Sequence, residues 1–366
     1  MYEVAFLMAK DGTGSGALRG VGRTLFLIFW TLILIVVLAV GVVWVFEKGP
    51  SPAATELFCR SVRETSAIKW IAGIFLSDEE VAALDVAEED WALGDAQESV
   101  DLSMIHIATP AESSGGAGEE VAPGQEETPY LQVIDIKGRT YKGKLMIVRD
   151  PTRVIVGTSD NLGNQAGLQL TDMVAKYDGI AGINGGGFND ENGQGNGGIP
   201  TGMVITDGQL AYGNPYSTYT SVVGLTAEGK LVLGNYTYQE AVDAGIKWAV
   251  NFNMEGAING ALILNGEVQA HNLASGVNPR TAIGQCADGS LLLLVLDGRQ
   301  VDTLGATLQD VCDVMLEYGA VNVGNLDGGS SSVMVYDGEI INSCASVTGP
   351  RYIPDGFVVL KEENHG

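Results

Sequence analysis

The chain reads as a β-rich mixed α/β (α+β) single catalytic domain behind one apolar helix and a partly helical stalk. Three observations predict this. Short apolar runs of strand length recur from Tyr130 to Leu360, separated by turn residues. Fifty glycines in 366 residues fall between those runs, without the fixed period of a collagen. Within that region only 160–177 and 303–318 carry helical spacing. No repeat of fixed period is present, which argues against a solenoid or propeller.

The first 23 residues read as a cytoplasmic tail. Its Gly12–Gly16 patch lacks both a preceding strand and a following Lys-Ser/Thr, so it is not a phosphate loop. Thr24–Phe46 contains no charged residue. At about 1.5 Å per residue it reaches roughly 35 Å, enough for a hydrocarbon core of about 30 Å. It has no polar face, so lipid suits it better than a protein core. Lys10, Arg19 and Arg23 precede the span, and Glu47 and Lys48 after it cancel. This predicts a single-pass cell-membrane anchor with its N-terminus in the cytoplasm and the catalytic domain extracellular. The alternative is a cleaved signal peptide, whose apolar region is usually about 7–15 residues.

Residues 47–107 read as a helical stalk. Ala53–Leu76 has helical spacing, and Ser77 with Glu80 forms the signature of a capping box opening a second helix to about Trp91. Residues 108–129 read as an acidic flexible linker. The 15 acidic residues over 77–128, with no Lys or Arg between Lys69 and Lys137, predict an extended spacer. The catalytic domain is expected over 130–366. Strands are expected at 131–136, 144–148, 153–157, 180–184, 203–206, 220–225, 230–233, 261–264, 281–285, 291–296, 332–336 and 356–360.

The net charge of -25 disfavours phosphate-rich partners, so no nucleic-acid role is expected and anionic lipid is a poor partner. Cys59, Cys286, Cys312 and Cys344 form no CxxC pair, which argues against a zinc ribbon. An exported domain permits a disulfide among them, and buried free thiols are the equal alternative. His106, His271 and His365 are too few and scattered for a histidine metal centre.

Three segments carry candidate chemistry. In Gly182–Asp190 an apolar strand runs into Asn184, Gly185, Gly186 and Gly187. Such glycine amides can approach a ligand closely and form an anion nest, or simply make a tight turn. In Val277–Gly284, Pro279 fixes the entry into a strand and aims Arg280 from its start. Its guanidinium suits bidentate contact with phosphate, or a surface ion pair. In Val323–Met334, Asp327 meets Gly328, Gly329, Ser330 and Ser331 at a strand end. It is a candidate acid, base, nucleophile or metal ligand. Asp207-Gly208 and Asp337-Gly338 read as hairpin turns.

The order of these motifs resembles the phosphodiester glycosidase family. Asn184-Gly185-Gly186 is similar to its Asn-Gly-Gly-aromatic motif. Asn278-Pro279-Arg280-Thr281 looks like its Asn-Pro-Arg-Thr motif, and Asp297-Gly298-Arg299 like its Asp-Gly-Arg turn. Asn325–Ser331 resembles its Asn-Leu-Asp-Gly-Gly-Gly-Ser-Ser motif. Arg351-Tyr352-Ile353-Pro354-Asp355 resembles its closing stretch. The departures are Gly187 before Phe188 in place of an aromatic, Ser330 for a third glycine and Asp355 for Asn.

The resemblance implies a hydrolase that cleaves a glycosyl (sugar-1-phosphate) phosphodiester, with a phosphorylated glycan of the cell surface or an exopolysaccharide as substrate. Asp327 is the first catalytic candidate, with Asp297 and Glu255 in reserve and Arg280 stabilising the leaving phosphate. Asn184, Gly185, Gly186, Asn278, Arg299, Gly328, Gly329, Ser330 and Ser331 are the substrate-binding candidates. Arg299 reads equally as a second clamp or a partner of Asp297, and His271 reads as structural. No metal ligand is assigned and no cofactor is certain. Calcium is a candidate through Asn189, Asp190 and Asn192. The alternatives are a non-catalytic phosphoglycan-binding module and a metal-dependent phosphodiesterase.

Overall fold

The computed structural model describes residues 12–65, 68–84, 99–107, 129–160, 162–163, 166–190, 196–252, 260–269, 273, 275–346 and 349–362. Glu255, Asn192, His271, His365 and the linker over 108–128 lie outside the described residues, as does the second stalk helix beyond Leu84.

Helix α1 (Gly12–Lys48) contains the apolar span. Its Arg23–Lys48 stretch of 26 residues has a mean hydropathy of 3.1, and its most apolar window is not buried against the rest of the chain, so it is long and apolar enough to cross a membrane. Helix α2 (Pro52–Arg63) begins on Ser51, whose Oγ accepts from the Ala54 N–H, with Pro52 where no amide donor is needed. Helix α3 (Asp78–Ala83) opens on the expected capping box, Ser77 and Glu80 exchanging side-chain and backbone bonds.

The body follows in the order β1 (Leu131–Lys137), β2 (Lys142–Val148), β3 (Val154–Thr158), α4 (Leu170–Lys176), β4 (Gly179–Asn184), β5 (Val204–Thr206), β6 (Gln209–Tyr212), β7 (Tyr219–Thr226), β8 (Leu231–Tyr236), α5 (Tyr238–Asp243), β9 (Ile246–Asn251) and β10 (Ala261–Leu264). It closes with β11 (Glu267–Val268), β12 (Arg280–Cys286), β13 (Leu291–Leu296), α6 (Leu308–Glu317), β14 (Ala320–Leu326), β15 (Met334–Tyr336), β16 (Glu339–Ile340) and β17 (Asp355–Leu360).

The strands form three sheets, in the orders β1-β2-β13-β12-β14-β10-β11, β16-β15-β4-β17-β3 and β6-β5-β9-β7-β8. One apolar core joins them, with Met146, Ile283 and Leu293 from the first sheet, Val156, Ile183 and Phe357 from the second, and Val223 and Leu233 from the third. Strand β13 is apolar at every position because both its faces are covered; Leu292 and Leu294 face α6, and Leu293 and Val295 face the joint core.

The differences from the sequence reading have local causes. Strand β9 was not expected, because Lys247 and Trp248 break its alternation and both are half-buried. Helix α4 fills only the end of 160–177. Helix α6 starts after Thr307, whose capping box with Asp310 sets the boundary, while Thr303 and Ala306 before it are tied in isolated bridges to Gln300 and Asn278. All four cysteines are free.

The described parts of the 47–107 segment are packed on their neighbours. Phe46 stacks on Phe58 at 4.9 Å, the Thr55 hydroxyl donates to the Phe46 carbonyl at 2.7 Å, and Lys48 pairs with Glu80. Cys59, Val62 and Ala72 make a small core of their own. Val100 and Leu102 enter or touch the body's core, and the His106 amide donates to the Ala287 carbonyl. These described residues are packed and not extended; most of the acidic stretch over 77–128 lies outside the described residues.

Candidate active site

The three motifs meet where β4, β12, β14 and β17 end or begin. Strand β12 pairs with β14 so that Thr281 stands opposite Leu326, and β4 pairs with β17 so that Asn184 stands opposite Gly356. The last residue of β4, Asn184, joins the motifs. Its Nδ2 donates to the Asp327 carbonyl at 2.6 Å, and its Oδ1 accepts from the Thr281 hydroxyl and the Val333 amide. Asn184 is 1% exposed, so it positions the site from within.

Asp327 follows the end of β14. Its amide donates to the Gly185 carbonyl at 3.1 Å, and Gly329, at φ +62°, turns the chain so that its amide reaches the Pro279 carbonyl at 2.9 Å. Burial pushes the Asp327 carboxyl up to about 7. The Ser331 hydroxyl opposes the rise, the Asp190 charge adds to it, and Arg351 and the Gly328 amide oppose it. A carboxyl that titrates near neutrality is suited to acid–base work.

The glycine amides after β4 are taken by protein. Gly185 donates to the Asp355 carbonyl at 3.2 Å, Gly186 to Asp355 Oδ1 at 2.6 Å, and Gly187 to the Asn251 carbonyl at 3.0 Å. The anion held by this loop is thus Asp355. A Cβ on Gly185 would come within 2.4 Å of Asp355 Oδ1, which explains glycine there.

Asp355 is 1% exposed, and its Oδ2 is buried without a hydrogen-bond partner. Burial raises its carboxyl to about 7 against the Gly186 bond, and the Asp327 charge adds to the rise. A folded pKa above the unfolded one means that this group's stability contribution is full below about pH 4 and is lost as pH climbs through 7. Asp355→Asn, neutral and of the same shape, should therefore unfold at higher urea than the parent at pH 8. The gain should be at most about 4 kcal/mol and vanish near pH 4. Equal midpoints at both pH values would contradict this.

Arg280 begins β12 and is 6% exposed. Its Nε donates to the Ala306 carbonyl at 3.1 Å, and one terminal nitrogen donates to the Gly276 carbonyl at 2.6 Å and to Glu64 Oε2 at 2.7 Å. Glu64 closes α2. Its other oxygen accepts from the Gly276 amide at 2.5 Å, and Oε2 also accepts from Asn278 Nδ2 at 2.8 Å. Ser61 accepts from the Val277 amide at 2.8 Å. A Cβ on Gly276 would lie 2.2 Å from the Ser61 amide nitrogen, so glycine lets α2 seat this closely. Three donors thus converge on one carboxylate, as they would on a phosphate.

Arg299, at φ +57°, donates to Asn278 Oδ1 at 2.9 Å and to the Thr65 hydroxyl at 2.7 Å. Burial lowers its pKa, the Arg280 charge adds to this, and Glu64 and Asp327 oppose it. It therefore stands among Arg280, Glu64 and Asp327. Asp297 instead accepts from Asn342 Nδ2 at 2.9 Å and the Ser343 amide at 3.1 Å, tying down the segment that follows β16. Burial raises its pKa.

The sequence reading passed over Glu64 and Arg351 as site residues and took Asp190 only as a calcium candidate. Arg351 grips both oxygens of Asp190 at 3.1 and 2.7 Å, donates to the Ser330 hydroxyl at 3.1 Å, and lies 5.2 Å from the centre of the Phe188 ring. Asp190 is thus engaged with arginine. Among the described residues no group of three or more His, Cys, Asp or Glu is placed to hold a metal.

A family model for phosphodiester glycosidases matches residues 177–360, half of the chain. The chain belongs to the phosphodiester glycosidase family. The match takes in Asn184, Arg280, Asp327, Arg351 and Asp355, the residues around which the site is built.

Relatives of this chain include mouse N-acetylglucosamine-1-phosphodiester alpha-N-acetylglucosaminidase. It is 25% identical over 225 residues, covering 57% of this chain and 42% of the relative. The SPbeta prophage-derived uncharacterized protein YomE of Bacillus subtilis is 41% identical over 66 residues, covering 18% of this chain and 10% of that protein. The chain spans less than half the length of these curated relatives. The zebrafish N-acetylglucosamine-1-phosphodiester alpha-N-acetylglucosaminidase catalytic domain, solved as auto-inhibited by its pro-peptide, shares the fold. The TM-score is 0.54 at 21% identity, over 65% of this chain and 86% of that one.

Proposed function

We propose that the chain is a hydrolase that cleaves a glycosyl phosphodiester at the anomeric carbon, acting outside the cytoplasm on a surface glycan while anchored by α1. The observation that carries the reading is the pairing of Asp327, a carboxyl titrating at about 7, with an anion cradle made by Gly276, Asn278 and Arg280. In hydrolysis the bond from C1 of the sugar to the phosphate oxygen breaks, and its electron pair leaves with the phosphate. Water's oxygen bonds to C1. One of its protons passes to Asp327 and on to solvent or the phosphate, and the other stays on the new C1 hydroxyl, giving a free sugar and a phosphate monoester. The phosphate leaves as a stabilised anion, so the main tasks are to hold its charge and to support the cationic C1.

Arg280, Asn278 and the Gly276 amide supply the first task, and Asp327 supplies the second as base or nucleophile. Asn184 holds the Asp327 backbone, and Arg351 with Asp190 sets the wall beside it. Turnover of a panel of synthetic sugar-1-phosphodiesters by the full chain tests the reading, with N-acetylglucosamine-1-phosphate diesters first. No sugar released from any member would overturn it.

Glu64 competes with the substrate's phosphate for the same donors in this account. Glu64→Ala should lower KM about tenfold and leave kcat within about threefold, because a resident carboxylate no longer has to be displaced. A rise in KM would show instead that Glu64 supports the substrate site.

A further inference from the structure

The site stands on a short rigid mount at the outer end of the apolar span. Thr55 of α2 is bonded to the Phe46 carbonyl, and Glu64 at the other end of α2 is bonded to Arg280. From Thr55 to Glu64 the helix rises about 14 Å. With the side chains added, the Arg280 guanidinium lies within about 25 Å of Phe46, and closer wherever α2 tilts toward the bilayer. The mount is fixed at both ends. Phe46, Glu47 and Lys48 bond or stack with Phe58, Phe75 and Glu80, while Ser61, Glu64 and Thr65 bond to the body.

A second observation concerns the outer surface of the mount. Trp70 is 67% exposed, and Leu57, Ile68 and Ile74 are exposed too. They follow the span closely in sequence, and they are the side chains a membrane interface accepts, Trp above all. The mount is also nearly neutral in a chain of net charge -25. Lys48–Leu84 has four basic and five acidic side chains. The repulsion that keeps the acidic body off an anionic surface is weakest there.

From these observations we infer that the substrate's leaving group is a membrane lipid: the chain acts on sugar-1-phosphate diesters of long-chain alcohols lying in the same bilayer. This rests on the glycosidase and anchor readings above. The mount offers Trp70 and its apolar neighbours to the headgroup layer and holds the Arg280–Asp327 site over lipid phosphates. A polymer far from the membrane lies outside its reach.

The test uses the full chain in phosphatidylcholine vesicles with two probes, N-acetylglucosamine-1-phosphate diesters of ethanol and of a twenty-carbon isoprenoid alcohol. The isoprenoid diester should be hydrolysed with at least tenfold higher kcat/KM. Inserting a rigid helix of about 20 residues between Val45 and Phe46, ahead of the residues that hold the mount, lifts the body by roughly 30 Å. It should cost the isoprenoid diester at least tenfold and leave the ethyl diester unchanged. Trp70→Glu should lower only the isoprenoid rate. Hydrolysis of the ethyl diester with no preference for the isoprenoid one, or a preference that survives the insertion, overturns the inference alone. Failure of both probes, with every other sugar-1-phosphodiester also inert, overturns the glycosidase reading beneath it.

Discussion

Asp327→Asn is expected to lower kcat by about a thousandfold, within the range typical of a lost acid–base group, while the protein folds normally. The fold should survive because the backbone of Asp327 is held independently of its carboxyl. The amide is tied to Gly185 and the carbonyl to Asn184. Burial lifts the carboxyl to about 7, and the carboxylate is the working form in the proposed reaction. The parent's kcat/KM should therefore rise with pH, about tenfold per unit below an inflection near 7, and level off above it. The Asn variant's residual activity should not follow that curve. A parent profile that falls through pH 7 would assign Asp327 the role of general acid. Unchanged turnover in the Asn variant would remove it from the chemistry.

Arg280→Ala should cost turnover several hundredfold, the scale of losing a donor aimed at developing charge. Two of its bonds go to main-chain carbonyls, of Ala306 and Gly276, so the guanidinium is aimed before any ligand arrives. Lys cannot reproduce that fork, and Arg280→Lys should recover little of the loss. The variant also leaves Glu64 in the cradle without its cation, which by itself destabilises a partly buried pair. The double variant Arg280→Ala with Glu64→Ala separates the two effects. If Arg280 meets the leaving phosphate, the loss of kcat persists in the double variant. If activity returns there, the single variant's defect belonged to the stranded carboxylate.

Much of the body was legible because its strands are short apolar runs between glycines. Ala261–Leu264 and Leu291–Leu296 have the expected bounds. The meeting of Asn184, Thr281 and Asp327 was implied by the motif order, and their bonds are present. Three things were not legible. Helical spacing and charge density across Ala53–Glu127 suggest a spacer. They contain no signal that Gly276 leaves room for Ser61 or that Glu64 finds three donors. Asp190 reads as a candidate calcium ligand because Arg351 is far away in sequence, although the closing Arg-Tyr-Ile-Pro-Asp stretch was the clue. Asp297 reads as a reserve carboxylate because it ends an apolar strand, yet its bonds go to Asn342 and Ser343. Pairings made across long sequence separations by single polar side chains leave no periodicity to read.

The proposed reaction cleaves the bond between C1 and oxygen. The most direct test is hydrolysis of a sugar-1-phosphodiester by the full chain in oxygen-18 water, with both products weighed by mass spectrometry. The label is expected in the released sugar and not in the phosphate monoester. Label in the phosphate would mean attack at phosphorus, and the chain would then be a phosphodiesterase built on a glycosidase fold.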